Sequence, residues 1–390
     1  MKGKENSVFV LGGGRIGLTA VRDPVRSKLV ERILVGDIDT KKARRLAAEL
    51  DSDKIRVAKV DLTNHKHLVA AIRHSGVLIN SSWYEYNVDV MKAAIETGVH
   101  YLDMGGLFHV TRKQMELKTD AEKAGITAVL GAGESPGITN VMCAASRKEL
   151  DSVEAIRIRV GGREKAGSTS EKLVFPFAVS TVFDEYSKPP IMFLNGQFQQ
   201  VEPLSGDEEV QFPEPINKQT CHYSIHSEIA TLPLSFRGVK NVDFKLGVSE
   251  NIYAAIKPLV AAGMASVDPI DVGGRKISPR DFAVALLTAR ASDVEPSRYV
   301  AVRTEVTGTK KGKRVCQIRE VSGEPSERLG VKNATALLTG IGASITAQLL
   351  ISGEIKQTGV VAPEICIPPT QFLDELAKRE IRVAKREIAM

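Results

Sequence analysis

Short apolar runs alternate with stretches of helical periodicity through the first third of the chain. Ser7–Leu11, Arg32–Gly36, Arg56–Val60, Val77–Asn80, His100–Asp103 and Thr127–Gly131 read as strands. Between them, Arg15–Val25 (irregular near Pro24), Lys41–Leu50, His65–His74, Asn87–Thr97 and Arg112–Ala124 carry apolar residues at helical spacing. Strands that alternate with helices predict a parallel sheet covered on its faces.

The pattern changes near residue 150. Ser152–Gly161 sets Val153, Ile156, Ile158 and Val160 against Arg157 and Arg159, which predicts a strand with one wet face. Val242–Val248 behaves similarly, as do Tyr299–Thr307 and Val315–Val321, joined as an antiparallel hairpin by the turn Gly308–Lys313. Pro176–Pro215, rich in Pro, Gly and charge, reads as mostly loop. An uncharged helix over Asn333–Gly353, a helix over Gln371–Arg379 and an edge strand over Ile381–Glu387 close the chain. The expected fold class is α/β. A Rossmann doubly wound parallel sheet spans residues 1–140 and is completed by 331–390. A second, mixed α/β substrate and dimerisation domain spans 141–330, built on a largely antiparallel sheet.

Composition narrows the function classes. The 390 residues suffice for about two domains. The net charge of +6 comes from 53 basic and 47 acidic residues that are interleaved, and the densest basic run, Lys310–Arg314, falls at a hairpin tip. That pattern argues against a nucleic-acid partner. The uncharged Asn333–Gly353 stretch is long enough for a bilayer, but its threonines, serines and glycines predict a helix buried between soluble layers rather than a membrane span. Cys143, Cys221, Cys316 and Cys366 lie far apart, which argues against a zinc ribbon or disulfide framework and for a reducing, cytoplasmic setting. The N-terminus runs directly into a strand pattern, so no signal peptide is expected. Neither close histidine pair, His65 with His67 or His222 with His226, has a set of ligands around it, so no metal site is expected.

The strongest chemical signal is Gly12, Gly14 and Gly17, a GxGxxG run where the first strand turns into the first helix. Gly12 permits the turn, Gly14 lets backbone approach a pyrophosphate, and Gly17 lets the helix pack closely on the strand. Arg15 and Ile16 open that helix, whose amides can hold phosphate. The second strand ends at Asp37, about 20 residues beyond Gly17, where a carboxylate meets the ribose hydroxyls. Asp37 and its neighbour Ile38 join the expected contacts. Asp37 and Asp39 favour NAD, while Lys41, Lys42 and Arg44 leave NADP open. Asp61 and Leu62 end the third strand near the adenine position, although Asp61 serves equally well to cap the Thr63–His65 turn. Asn80, Ser81 and Ser82 end the fourth strand where the nicotinamide ribose is expected, and a polar turn reads the same.

Several segments together resemble the saccharopine dehydrogenase family, especially its lysine 6-dehydrogenase-like branch. They include Val77–Asn80, Ala94–Asp103, Gly131–Asn140, Ile156–Gly162, Phe183–Tyr186, Thr339–Gly340 and Gly359–Glu364. The resemblance implies a homodimer and an oxidoreductase acting on the carbon–nitrogen bond of a lysine- or saccharopine-like amino acid. Hydride leaves the amine-bearing carbon for the nicotinamide, and water opens the imine. That chemistry needs a group to carry the ammonium proton and donors for a substrate carboxylate. The Cys221–Thr231 cluster offers His226 for proton transfer, Glu228 for the ammonium and Tyr223 beside them. Alternatively, His222, Ser224 and His226 form the wet face of a strand. Arg237 is a candidate carboxylate clamp. Glu134 and Asn140 flank a loop that enters a helix, and Asp184, Glu185 and Tyr186 are candidates for the entrance. Ser227 stands where the lysine dehydrogenase pattern carries an aspartate, a departure that argues against free lysine. Two rival readings are a carboxyalkylamine dehydrogenase of the polyamine type, and a non-catalytic dinucleotide-binding regulatory protein.

Overall fold

The computed structural model describes residues 6–165, 174–247, 250–291 and 297–390. Among these, seven parallel strands form the first sheet. In chain order its first six are β1 (Ser7–Leu11), β2 (Arg32–Asp37), β3 (Ile55–Lys59), β4 (Val77–Asn80), β5 (His100–Asp103) and β6 (Thr127–Val129). The second sheet takes β7 (Ser152–Glu164), β8 (Ile191–Leu194), β9 (Gln197–Gln200), β10 (Glu208–Gln211), β11 (Lys218–Tyr223) and β12 (Asn241–Gly247). A small hairpin, β13 (Ile270–Val272) with β14 (Arg275–Ile277), stands apart. The long strands β15 (Arg298–Lys310) and β16 (Lys313–Gly323) rejoin the second sheet. β17 (Gly359–Val361) returns to the first, and β18 (Val383–Ala389) to the second.

The first sheet has the order β17-β6-β5-β4-β1-β2-β3. The chain therefore reverses direction across the sheet between β1 and β4, and ligands of such sheets sit in the crevice at that switch point. Burial explains the continuous apolar runs: every residue of β1 and of β4 is inaccessible because helices cover both faces. The second sheet is antiparallel except where β12 runs parallel to β7. The uncharged helix Ala334–Ile351 lies between the sheets, packed on the helix Arg15–Arg22 and on β4, β5, β15 and β16. It is long and apolar enough to cross a membrane, yet it is buried inside the protein. Its polar groups are matched there: Ser344 and Gln348 both donate to Asp23, at 2.6 and 2.9 Å.

Several elements differ from expectation. The Arg112–Ala124 helix is two helices, Leu107–Met115 and Lys118–Lys123. The β15–β16 hairpin is longer than predicted, with Lys311 and Gly312 both at positive φ in a two-residue turn. Pro176–Pro215 holds the helix Val179–Ser187 as well as β8, β9 and β10. The 331–390 segment is shared, because β18 pairs with β16 in the second sheet. The change-over near residue 140 falls inside the helix Ile138–Arg147. Val248, the predicted end of β12, lies outside the described residues. The wet face of β7 is in part a buried face of paired charges. Arg157 is half exposed, but Arg159 is buried between Asp243 (2.6 Å) and Glu208 (2.8 Å), and Lys245 joins Glu208 at 2.8 Å. Neighbouring strands supply those carboxylates, which alternation along one strand cannot reveal.

Candidate active site

The β1 turn is built for close backbone approach. Gly12 has φ +103°, and a Cβ there would meet the Ser81 carbonyl oxygen at 2.8 Å. A Cβ on Gly17 would lie 1.9 Å from the Gly12 carbonyl oxygen, so only glycine lets this helix sit on its strand. A Cβ on Gly14 would meet nothing within 4 Å. The cradle is therefore closed behind Gly12 and Gly17 and open in front of Gly14. The helix Arg15–Arg22 begins there with no side-chain cap and no acidic residue in its first turn, leaving its amides to a bound anion. Asp37 Oδ2 accepts from the Gly13 amide at 2.5 Å and its Oδ1 from Asp39 at 2.8 Å, so the carboxylate at the end of β2 stands beside the glycine turn.

These residues fit a dinucleotide. Gly12, Gly14 and the amides that open the first helix would hold the pyrophosphate, and Asp37 the adjoining ribose. Ser81, tied to the Gly12 carbonyl at 3.1 Å, and Ser82 face the neighbouring cavity together with Ile16. Asn80 is buried behind them, accepting from Ser82 Oγ at 2.6 Å and donating to Asn87 at 2.9 Å; it positions the turn. Arg15 donates to the carbonyls of Phe175 and Pro176 at 3.1 and 3.0 Å, joining the turn to the second domain. Ile38 is exposed beside Asp37. Asp61 receives the Thr63 amide and hydroxyl at 3.0 and 2.6 Å, the local turn bond of its simpler reading, and Leu62 packs on the core beneath.

A cavity of about 270 Å³ adjoins Ser81 and lies between the two sheets. The first domain contributes Ile16, Ser82, Met104 and Glu134; the second contributes Glu185, His226, Phe244 and Arg298. His226 is not on a strand face. β11 ends at Tyr223, and residues 224–227 form a loop that leads into the helix Glu228–Ser235. That loop buries Ser224 and His226, leaving His222 only partly covered on the strand. The His226 ring stacks on Phe244 with centroids 3.8 Å apart, and its Nδ1 is bonded to a Glu228 oxygen. Glu228 is fully buried and does not line the cavity. Its other oxygen accepts from Ser135 at 2.5 Å and Thr139 at 3.0 Å, both in the first domain. The sequence cluster is thus a dyad in which His226 meets the cavity and Glu228 positions it.

Electrostatics sharpen these roles. Burial works against charge on both partners, but the Glu228 charge and hydrogen bond outweigh it and raise the His226 pKa. In return, His226 and Ser135 draw Glu228 down against its burial. Glu134 and Glu185 go the other way: burial pushes each up to about 8, offset only in part by Arg298 for Glu134 and by His226 for Glu185. Glu134 Oε1, Arg298 Nε and Trp83 Nε1 are buried with no hydrogen-bond partner among the described residues, and all three residues border the cavity.

Other expected residues lie elsewhere. Arg237 is exposed after the end of its helix, so it is not a clamp for a ligand in this cavity. Tyr223 sits beneath Lys245, whose ammonium is 4.6 Å from the ring centroid, outside the cavity. Asn140 is a lock: it accepts from Gly137 at 2.9 Å and donates to Glu364 at 2.8 Å. Asp184 is buried against Arg280 at 2.7 Å, while Glu185 and Tyr186 reach the cavity. Arg298 and Trp83 were not anticipated. Neither belongs to a local motif, although Phe183–Tyr186 was a signal for Glu185. Among the described residues no group of three or more His, Cys, Asp or Glu side chains is arranged to hold a metal.

A parallel sheet with an open glycine cradle at its switch point, facing a cavity with a titratable dyad, defines a dinucleotide-dependent oxidoreductase. The chain belongs to the saccharopine dehydrogenase family: residues 8–129 match the saccharopine dehydrogenase NADP binding domain and residues 133–381 the saccharopine dehydrogenase C-terminal domain. A carboxyaminopropylagmatine dehydrogenase of Synechocystis sp. is 24% identical over 391 aligned residues, covering 95% of each chain. A carboxynorspermidine synthase of Vibrio alginolyticus is 24% identical, covering 83% of this chain and 81% of that protein. Among solved structures, the apo saccharopine dehydrogenase (L-Glu forming) of Saccharomyces cerevisiae superposes with a TM-score of 0.74 at 18% identity, covering 98% of this chain and all of that one. Homospermidine synthase of Legionella pneumophila, in complex with NAD, gives 0.70 at 12% identity, covering 99% and 91%. These two likenesses bear on the fold.

Proposed function

We propose that the chain is a carboxyalkylamine dehydrogenase of the polyamine type. It interconverts a secondary amine, in which an amino-acid arm is joined to a polyamine-like arm, and the corresponding imine. The names of the similar Synechocystis and Vibrio proteins support this reading over lysine or saccharopine. The observation that carries it is His226, its Nδ1 bonded to buried Glu228 at the wall of a cavity that adjoins the dinucleotide cradle.

The bound nicotinamide supplies the hydride to carbon in one direction and accepts it in the other. His226 handles the proton. Its Nδ1 is occupied by Glu228, so exchange falls to Nε2. In the reductive direction the imidazolium gives its proton to the substrate nitrogen or to the hydroxyl that leaves as water when amine and aldehyde condense. Glu228 stabilises the imidazolium before the transfer, as a buried carboxylate does in catalytic dyads. A raised His226 pKa keeps the acid form populated near neutrality, which suits imine reduction. Arg298, whose Nε has no hydrogen-bond partner among the described residues, takes the carboxylate of the amino-acid arm.

The test is oxidation of each reduced coenzyme, followed by absorbance. Agmatine or 1,3-diaminopropane is mixed with aspartate semialdehyde, whose reductive coupling to an amine creates a carboxyaminopropyl group. Lysine with 2-oxoglutarate is run in parallel, and saccharopine is run in the reverse direction with each oxidised coenzyme. Turnover with the polyamine-type amines and little with the lysine-type substrates is the expected result. Turnover confined to the lysine series would replace the proposal.

A further inference from the structure

We infer that Glu134 and Glu185 form a subsite for a doubly charged linear amine. The inference rests on the amine-substrate reading above and specifies the arm being recognised.

The ionisable groups at the cavity wall and just behind it are not all paired. Glu228 is matched by His226, and Glu164 by Arg298 through an ion pair. Asp184, next to Glu185 in sequence, is matched by Arg280 and by the Tyr84 hydroxyl. Glu134 and Glu185 are left: each is buried, each borders the cavity, and neither makes a side-chain ion pair among the described residues. Glu134 Oε1 has no hydrogen-bond partner among them.

The two carboxyls reach the same cavity from different domains. Glu134 comes from the loop after β6, in the first domain, and Glu185 from the helix Val179–Ser187, in the second. Apolar Phe177, Val182, Phe244, Ile252 and Val300 line the same cavity. Methylene groups suit such a wall, and the carboxylates would take the cationic ends. A buried carboxyl without a counter-ion keeps its proton, because ionisation in a low dielectric is costly. A bound cation reverses that balance. The groups that face these carboxyls are Arg298 on β15 for Glu134, and His226, Asp184 and Glu228 for Glu185. Of these, only Arg298 and His226 carry positive charge, and both already have carboxylate partners.

The experiment is calorimetric titration with agmatine of the protein saturated with reduced coenzyme, with no aldehyde present. It is run near pH 7 in two buffers of different ionisation enthalpy. Release of about two protons per agmatine bound is expected, with about one lost in each of Glu134→Gln and Glu185→Gln. Each variant should also weaken binding about tenfold or more, while keeping the wild-type melting temperature or exceeding it. Absence of agmatine binding, buffer-independent enthalpies or wild-type affinity in both variants would overturn the inference. Proton release without turnover on any amine would uphold the subsite and remove the proposed reaction. Turnover with agmatine and no proton release would do the reverse.

Discussion

The two halves of the site are built on opposite principles. The dinucleotide cradle is made of backbone: glycines that exclude side chains, free helix amides and one carboxylate, Asp37, clasping the Gly13 amide. The neighbouring cavity is made of side chains from many elements, held by charge: His226 on Glu228, Arg298 on Glu164, and two carboxyls with no ion-pair partner among the described residues. Backbone architecture recognises a group common to many proteins and tolerates no substitution. Side-chain architecture recognises one substrate class and can be retuned by single residues. The comparison therefore predicts failures of different kinds in the two halves.

The largest effect belongs to the cradle. Gly17→Ala places a Cβ 1.9 Å from the Gly12 carbonyl oxygen and should abolish coenzyme binding, measured by calorimetry, and lower the melting temperature. Gly14→Ala meets no protein atom and should leave melting unchanged, yet weaken coenzyme binding about tenfold or more by filling the approach to the helix amides. Equal stability loss in both variants would show that the cradle is merely a packing device.

Next comes the dyad. His226→Ala should reduce turnover by about 10²- to 10⁴-fold with coenzyme affinity unchanged. Glu228→Gln should act through pH. The reductive rate needs the imidazolium, so it falls as pH rises through the His226 pKa, and losing the Glu228 charge moves that fall to lower pH. An unshifted profile would deny Glu228 its positioning role.

A smaller effect concerns stability. A carboxyl whose folded pKa is raised from 4.5 to about 8 contributes stability that is full below pH 4.5 and is lost as pH rises through about 8. The melting temperature of the protein without substrate should therefore fall between about pH 4.5 and pH 8, and Glu134→Gln with Glu185→Gln should flatten that fall. The smallest effect is at Arg237, which is exposed and outside the cavity: Arg237→Ala should change kcat/KM by less than about twofold.

The same contrast explains what the sequence revealed. Gly12, Gly14, Gly17 and Asp37 were legible because local spacing encodes a local shape, and β1 and β4 were placed to the residue because burial on both faces leaves a run of apolar residues. His226 and Glu228 were visible as a polar cluster, but their division of labour depends on Ser135 and Thr139, about 90 residues earlier in the chain. Arg237 stands out in the sequence because it follows the cluster, whereas Arg298, which no local motif marks, reaches the cavity through the register of β15 with β7. The charged face of β7 was misread for a similar reason, since Glu208 and Asp243 arrive from other strands.

The most direct test follows the hydrogen itself. Reduced coenzyme deuterated at the transferable position is incubated with the enzyme, agmatine and aspartate semialdehyde, and the product is examined by mass spectrometry. The account predicts a carboxyaminopropyl amine carrying one deuterium, on the former aldehyde carbon beside the new nitrogen bond. A protein that binds coenzyme and amine together yet yields no deuterated amine would contradict it.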